Sequence, residues 1–171
     1  GSGHKALALA EANPGSKIIG IDISEVSVDL ARQRLAYHGF ENAEFYAISI
    51  DDIAELGFKF DYINCDEVLY LLPDINRGLQ ALKSVLSPEG IIRSNLHSSA
   101  QRYTFYLAQE LFTIMGLMDD NPGEMELELC REMLDSVHEN VFLKAKTWDD
   151  RNNAKPDWFL CNYLLQGDKG Y

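Results

Sequence analysis

The chain has 171 residues, 46 % of them hydrophobic, and a formal net charge of −12 at pH 7. This is the length of one ordinary domain with enough apolar content for a core, which argues against a disordered tail. No Lys/Arg stripe is present, which disfavours groove-tracking nucleic-acid binding, because neutralising phosphates needs cations.

The first half alternates helix and strand patterns. Lys5 to Asn13 is rich in Ala and Leu and predicts a helix that Pro14 and Gly15 stop. Ile18, Ile19 and Ile21 form a β-branched run, a buried strand from Lys17 to Asp22. Ser24 suits the N-cap of a helix reaching Tyr37, with Val28, Ala31 and Leu35 on one face and Gly39 at its end. Ala43 to Ile50 and Phe60 to Cys65 read as the next two strands, separated by a turn around Gly57. Asp74 caps a helix with Ile75, Leu79, Leu82 and Leu86 at helical spacing. Ser87-Pro88-Glu89-Gly90 predicts a turn, and Ile91 to Leu96 a fourth strand. This rhythm implies a doubly wound, mostly parallel sheet with helices on both faces.

The second half is helical. Ser99 to Gly116 carries a stripe of Tyr103, Leu107, Leu111 and Ile114. Asn121-Pro122-Gly123-Glu124 reads as cap, Pro at the first position and Glu at the third. The helix it starts runs to His138 with Leu127, Cys130 and Leu134 inward, and a last helix spans Pro156 to Leu165. We therefore expect a cofactor-binding α/β core over residues 1–97 and a helical insertion or lid, shaping substrate choice, over residues 98–171. Cys65, Cys130 and Cys161 offer no CxxC pair, so no metal site is expected and the thiols read as buried or incidental. No apolar stretch approaches the roughly 20 residues that span a bilayer. No signal peptide is visible, and a cytoplasmic location is the default expectation.

Open α/β sheets bind ligands at the carboxyl ends of their strands. Gly1-Ser2-Gly3 stands before the first helix, where glycines admit a ligand to the backbone and the free N–H groups of the helix start face it. A Gly-Ser-Gly opening also fits a cloning scar. Asp22 ends the strand nineteen positions after Gly3, where a carboxylate can accept both hydroxyls of a ribose; the alternative is that it helps cap the next helix. Asp51 and Asp52 sit where an adenine amino group could be met, or they start a short helix before Leu56. His97, at the end of the last strand, could act as a general base, or bond to the hydroxyls of Ser98 and Ser99. Tyr70 is a second candidate for the chemistry.

The segment Phe60-Asp61-Tyr62-Ile63 through Val68-Leu69-Tyr70-Leu71-Leu72-Pro73-Asp74 resembles the "FD-x-I … VLHHLPD" stretch of class I S-adenosylmethionine-dependent methyltransferases. Leu86-Ser87-Pro88-Glu89-Gly90 resembles that family's "L-x-P-x-G" turn. Gly1-Ser2-Gly3-His4-Lys5 resembles the end of its glycine motif, and Ile19-Gly20-Ile21-Asp22-Ile23-Ser24 its "V-x-G-x-D-x-S" strand end. The four motifs come in family order over residues 1–97. The resemblance implies a Rossmann-like methyltransferase core and S-adenosyl-L-methionine as cofactor. Gly1 and Gly3 would line its methionine end, Asp22 its ribose, and Ile23 one side of its adenine. Ile50 and Asp51 would meet the other side, and Cys65 would flank the amino-acid and methyl end.

Departures from the family qualify this. The strand that precedes the glycine motif and the late strand pair are missing, so the expectation is a fragment at both ends that folds poorly alone. Tyr70 and Leu71 stand where two histidines are common, and Ser49 where an Asp is frequent. Two other readings compete. An NAD(P)-dependent oxidoreductase would explain the glycines and Asp22, but none of the eight tyrosines has Lys four residues later. A non-catalytic binding module on the same fold is the other. The aromatic residues Tyr103, Phe105, Tyr106, Phe112, Trp148, Trp158 and Phe159 favour a small organic or lipid-like acceptor, although such stripes also build cores.

Overall fold

β-Branched residues at 18, 19 and 21 extend the backbone, and in the computed structural model they open a parallel strand pair. The structure describes residues 1–118, 122–147, 155–165, 167 and 170. These divide into two compact units, one of residues 1–65 and 74–93, the other of residues 66–73 and 94–171.

In the first unit, β1 (Ile18–Asp22) pairs in parallel with β2 (Ala43–Ala47), with Ile18 opposite Ala43 and Asp22 opposite Ala47. Parallel neighbours need a crossover, and α2 (Glu25–Tyr37) supplies it. Ser24 caps that helix, its hydroxyl accepting the Ser27 N–H at 3.3 Å. Val28, Ala31 and Leu35 recur at helical spacing and are buried with Phe45 of β2, while Ala6 and Leu7 of α1 (His4–Ala12) pack on the same cluster. Burying an aliphatic side chain of this size stabilises by about 1.5–3 kcal/mol. Gly20 lies opposite Phe45, and a Cβ there would collide with the Phe45 ring, so the glycine makes room for the aromatic.

A second pair of strands, β3 (Phe60–Cys65) and β4 (Leu86–Ser94), belongs to the same unit. A 3₁₀ helix (Ile50–Leu56) and α3 (Ile75–Ser84) accompany them. The Asp74 carboxylate caps α3, accepting the N–H groups of Asn76 at 2.9 Å and Arg77 at 3.2 Å.

The second unit holds the turn Leu69–Leu71 and the helices α4 (Ser99–Ile114), α5 (Glu124–Ser136) and α6 (Phe142–Thr147). A short helix, Pro156–Phe159, continues with π-helical bonding over Leu160–Leu164. Its core joins Ala108 and Phe112 of α4, Cys130 and Leu134 of α5, and Phe159, Tyr163 and Leu164. The Phe159 and Tyr163 rings stack with centroids 4.5 Å apart. Arg102 reaches from α4 to the Asn162 side-chain carbonyl at 2.5 Å and lies over the Phe105 ring, binding the last helical segment to α4.

The structure corrects several boundaries. The second strand stops at Ala47 rather than Ile50, because Ser49 turns the chain and its hydroxyl accepts the Asp51 N–H. Leu86 leaves the helical stripe: Val85 closes α3 on the Leu82 carbonyl, and its own carbonyl takes the Phe60 N–H at 2.9 Å, drawing the chain into the sheet. The expected turn Ser87–Gly90 is thus extended backbone, and β4 ends at Ser94, not Leu96. On α4 the buried face is Thr104, Ala108 and Phe112, whereas Tyr103, Leu111 and Ile114 are exposed. Gly123 is the N-cap of α5, its N–H donated to Glu126 at 2.9 Å, so Pro122 precedes the helix. Asn121 and Trp148 lie outside the described residues.

Candidate functional site

The expected cofactor residues Gly1, Gly3, Asp22, Ile23, Ile50, Asp51 and Cys65 all fall in the first unit. Gly3 is the N-cap of α1 with φ of 85°, in the left-handed region. A Cβ there would stand 2.8 Å from Ala31 Cα and 2.9 Å from Ala31 Cβ, so glycine lets the start of α1 lie directly against α2. At Gly1 a Cβ would meet nothing within 4 Å. The Gly3 carbonyl accepts the Leu7 N–H at 2.9 Å and so closes the first turn of α1.

Asp22 ends β1 beside this loop. Its Oδ1 accepts the Ser24 N–H at 2.8 Å, and its Oδ2 meets the Gly1 nitrogen. Burial raises the pKa of its carboxyl, and the hydrogen bond from the Ser24 N–H works in the opposite direction. The capping and ligand roles coexist, since each carboxylate oxygen offers two acceptor sites. Ile23 is 82 % exposed, an apolar face at the strand exit. Asp51, in the first turn of the 3₁₀ helix, pairs with Arg77 at 3.1 Å. Its carboxylate is thereby held by a neighbour, which makes it a weaker partner for a base than the sequence suggests. Ile50 is half-buried at the start of the same helix. Cys65 is buried at the end of β3.

One contact has no local signal in the sequence. Arg34 of α2 is half-buried, and its Nη1 donates to the Ser2 carbonyl and lies 3.1 Å from the Ser2 hydroxyl.

Tyr70 and His97 fall in the second unit, where the structure brings them together. Their rings stack with centroids 3.8 Å apart and an interplanar angle of 20°. The buried Tyr70 donates its hydroxyl to Glu67 Oε2 at 2.5 Å, and His97 Nε2 lies 3.9 Å from that same oxygen. Glu67 has φ of 61°, the one non-glycine residue in the left-handed region among those described. Holding a side-chain-bearing residue there costs about 1–2 kcal/mol. Asn95 offsets this by accepting the Glu67 N–H at 2.6 Å and donating its amide to Glu67 Oε1. A carboxylate, a phenol and an imidazole converging this way can pass or accept a proton. Among the described residues no group of three His, Cys, Asp or Glu side chains is placed to hold a metal ion.

The family model described as a methyltransferase domain matches residues 1–154, and the chain belongs to that family. The match starts at Gly1, which takes the glycine loop into the domain. An uncharacterized protein of Synechococcus is 35 % identical over 116 residues, covering 67 % of this chain and 28 % of that protein. A ubiquinone biosynthesis O-methyltransferase of Bordetella avium is 30 % identical over 110 residues, covering 61 % and 44 %. Among solved structures, PKMT2 from Rickettsia typhi in complex with AdoHcy superposes with a TM-score of 0.74 at 25 % identity, over 96 % of this chain and 33 % of that one. The chain thus spans less than half the length of each of these relatives. The fold is the α/β, doubly wound Rossmann-like methyltransferase fold expected from the sequence.

Proposed function

We propose that the chain is the cofactor-binding part of an S-adenosylmethionine-dependent methyltransferase whose acceptor is a small molecule. The family match over residues 1–154 carries this reading. Two relatives agree with it, one named an O-methyltransferase and one solved with AdoHcy. The donor set fits the cofactor. Asp22 keeps free lone pairs for a ribose diol, Gly1 opens onto empty space, and Ile23 offers apolar surface. When bound, the cofactor supplies an already activated methyl group, leaving orientation and a dry site to the protein.

On this reading Gly1 and Gly3 admit the amino-acid end to the backbone, and Asp22 fixes the ribose. Ile23 and Ile50 flank the adenine, with Asp51 and Cys65 as further neighbours. His97 is the candidate general base of the second unit, with Tyr70 stacked on it and Glu67 accepting the Tyr70 hydroxyl. The cofactor core lies within residues 1–97 and the substrate-shaping region within residues 98–171, with residues 66–73 and 94–97 belonging to the second compact unit. No helix among the described residues is long and apolar enough to cross a membrane.

Isothermal titration of the full-length protein tests the assignment. S-adenosylmethionine and S-adenosylhomocysteine should both bind and NAD should not. Tight NAD binding without binding of either sulfur compound would overturn it in favour of an oxidoreductase.

A further inference from the structure

We propose that Arg34 is a positioning residue for the cofactor's amino-acid end, acting through Ser2. The inference rests on the cofactor reading above and extends it to a residue that touches no reacting atom.

The loop Gly1–Ser2–Gly3 has little side-chain substance of its own. Two of its three residues are glycines, the residue type that loses most conformational freedom when fixed. Its far end is held where Gly3 packs on Ala31. Its near end meets Asp22, the carboxylate that the ribose also needs. Between them the middle of the loop is held by Arg34, which grips both the Ser2 carbonyl and the Ser2 hydroxyl from the adjoining helix. Gly3 faces Ala31, and Arg34 lies three residues further along, on the same face of α2. Helix packing and the clamp therefore act from one rigid surface.

The Ser2 carbonyl matters most. A peptide unit turned by this bond has its carbonyl committed to Arg34, so the N–H on its other side, that of Gly3, is fixed in direction. Without the bond the peptide is free to rotate, and a ligand must order it on binding. Guanidinium suits the task because it is always charged and planar, so less freedom is lost for each hydrogen bond formed. The effect is confined to the end of the ligand facing the loop. Ribose recognition belongs to Asp22 and does not pass through Ser2.

That division gives a test that a purely structural role would not satisfy. S-adenosylhomocysteine carries the amino-acid tail, and adenosine has the same base and ribose without it. Affinities for both are measured by titration calorimetry and ligand-observed NMR on the full-length wild type, Arg34→Gln, Arg34→Lys and Ser2→Ala, with a thermal melt of each. Arg34→Gln should weaken S-adenosylhomocysteine about tenfold, the scale of a lost charge-assisted hydrogen bond, and leave adenosine within about twofold. Arg34→Lys should recover part of the loss. Ser2→Ala, which removes the hydroxyl contact and keeps the carbonyl, should weaken the tailed ligand about threefold and remain informative if Arg34→Gln does not fold. Equal losses for both ligands, or unchanged affinity in Arg34→Gln and Ser2→Ala, would overturn the inference while the cofactor reading stands. A wild type that binds no S-adenosylhomocysteine would overturn both.

Discussion

Replacing Gly3 by Ala tests the close approach of α1 and α2 directly. Two costs separate at this position. The first is conformational: with φ of 85° an L-residue with a Cβ sits in the left-handed region, at about 1–2 kcal/mol. The second is steric, since the new methyl would stand 2.8 Å from Ala31 Cα, which is backbone and cannot swing aside. Overpacking of this kind costs about 1–3 kcal/mol, so the sum is about 2–5 kcal/mol. Gly15 provides the matched control. Its φ is 87°, yet a Cβ there would meet nothing within 4 Å, so Gly15→Ala carries the conformational cost alone. Urea unfolding of both variants, followed by circular dichroism, isolates the steric part as the difference in ΔG. A gap of at least about 1 kcal/mol is expected. Equal destabilisation of the two would refute the packing of α1 on α2 drawn here.

Other perturbations follow from the same structure. Asp22→Ala should weaken S-adenosylhomocysteine binding by about 1–3 kcal/mol while the melt stays cooperative; calorimetry showing unchanged affinity in a folded variant would remove Asp22 from the site. Phe112→Ala, emptying a fully buried position in the second unit, should cost about 3–5 kcal/mol in denaturant unfolding, and a loss under 1 kcal/mol would contradict the core described for that unit. Burial, then the charge of Glu126, pushes the Cys130 thiol up to about 12. A thiol whose folded pKa is raised contributes stability that is complete below the unfolded value of about 8.5 and is lost as pH rises towards 12. Cys130→Ala should therefore flatten the alkaline fall in melting temperature, and at neutral pH iodoacetamide should label the exposed Cys161 well before Cys130.

What the sequence reveals depends on how local each signal is. The isoleucines of β1, the Ser24 and Asp74 caps and the Val28–Ala31–Leu35 stripe are read within one or two turns of chain, and they stand in the structure. The α4 stripe misleads because two rows share its spacing. Tyr103, Leu107 and Leu111 form one, and Thr104, Ala108 and Phe112 the other. Apolarity favours the first, but the small side chains of Thr104 and Ala108 let neighbouring helices approach, and that row is buried. At the candidate site Gly3 and Asp22 are legible from motif and strand end. The Arg34–Ser2 and Asn95–Glu67 contacts are not, because each joins residues far apart in sequence and neither partner stands out where it occurs. The left-handed backbone at Glu67 was equally hidden, since Glu has no preference for that region and the amide that takes its N–H, Asn95, lies far along the chain.

The passage of residues 66–73 out of the first unit and into the second has a consequence for biosynthesis. Neither unit is a continuous stretch of nascent chain. As synthesis proceeds, Leu69 and Tyr70, both buried in the finished protein, emerge from the ribosome well before the helices of their own unit exist. The first unit, for its part, must wait for β4 with that apolar segment looped out between its halves. Domains that fold as continuous units can finish in order of synthesis; here the Leu-Tyr-Leu-Leu stretch stays unburied until residues well beyond β4 have been made.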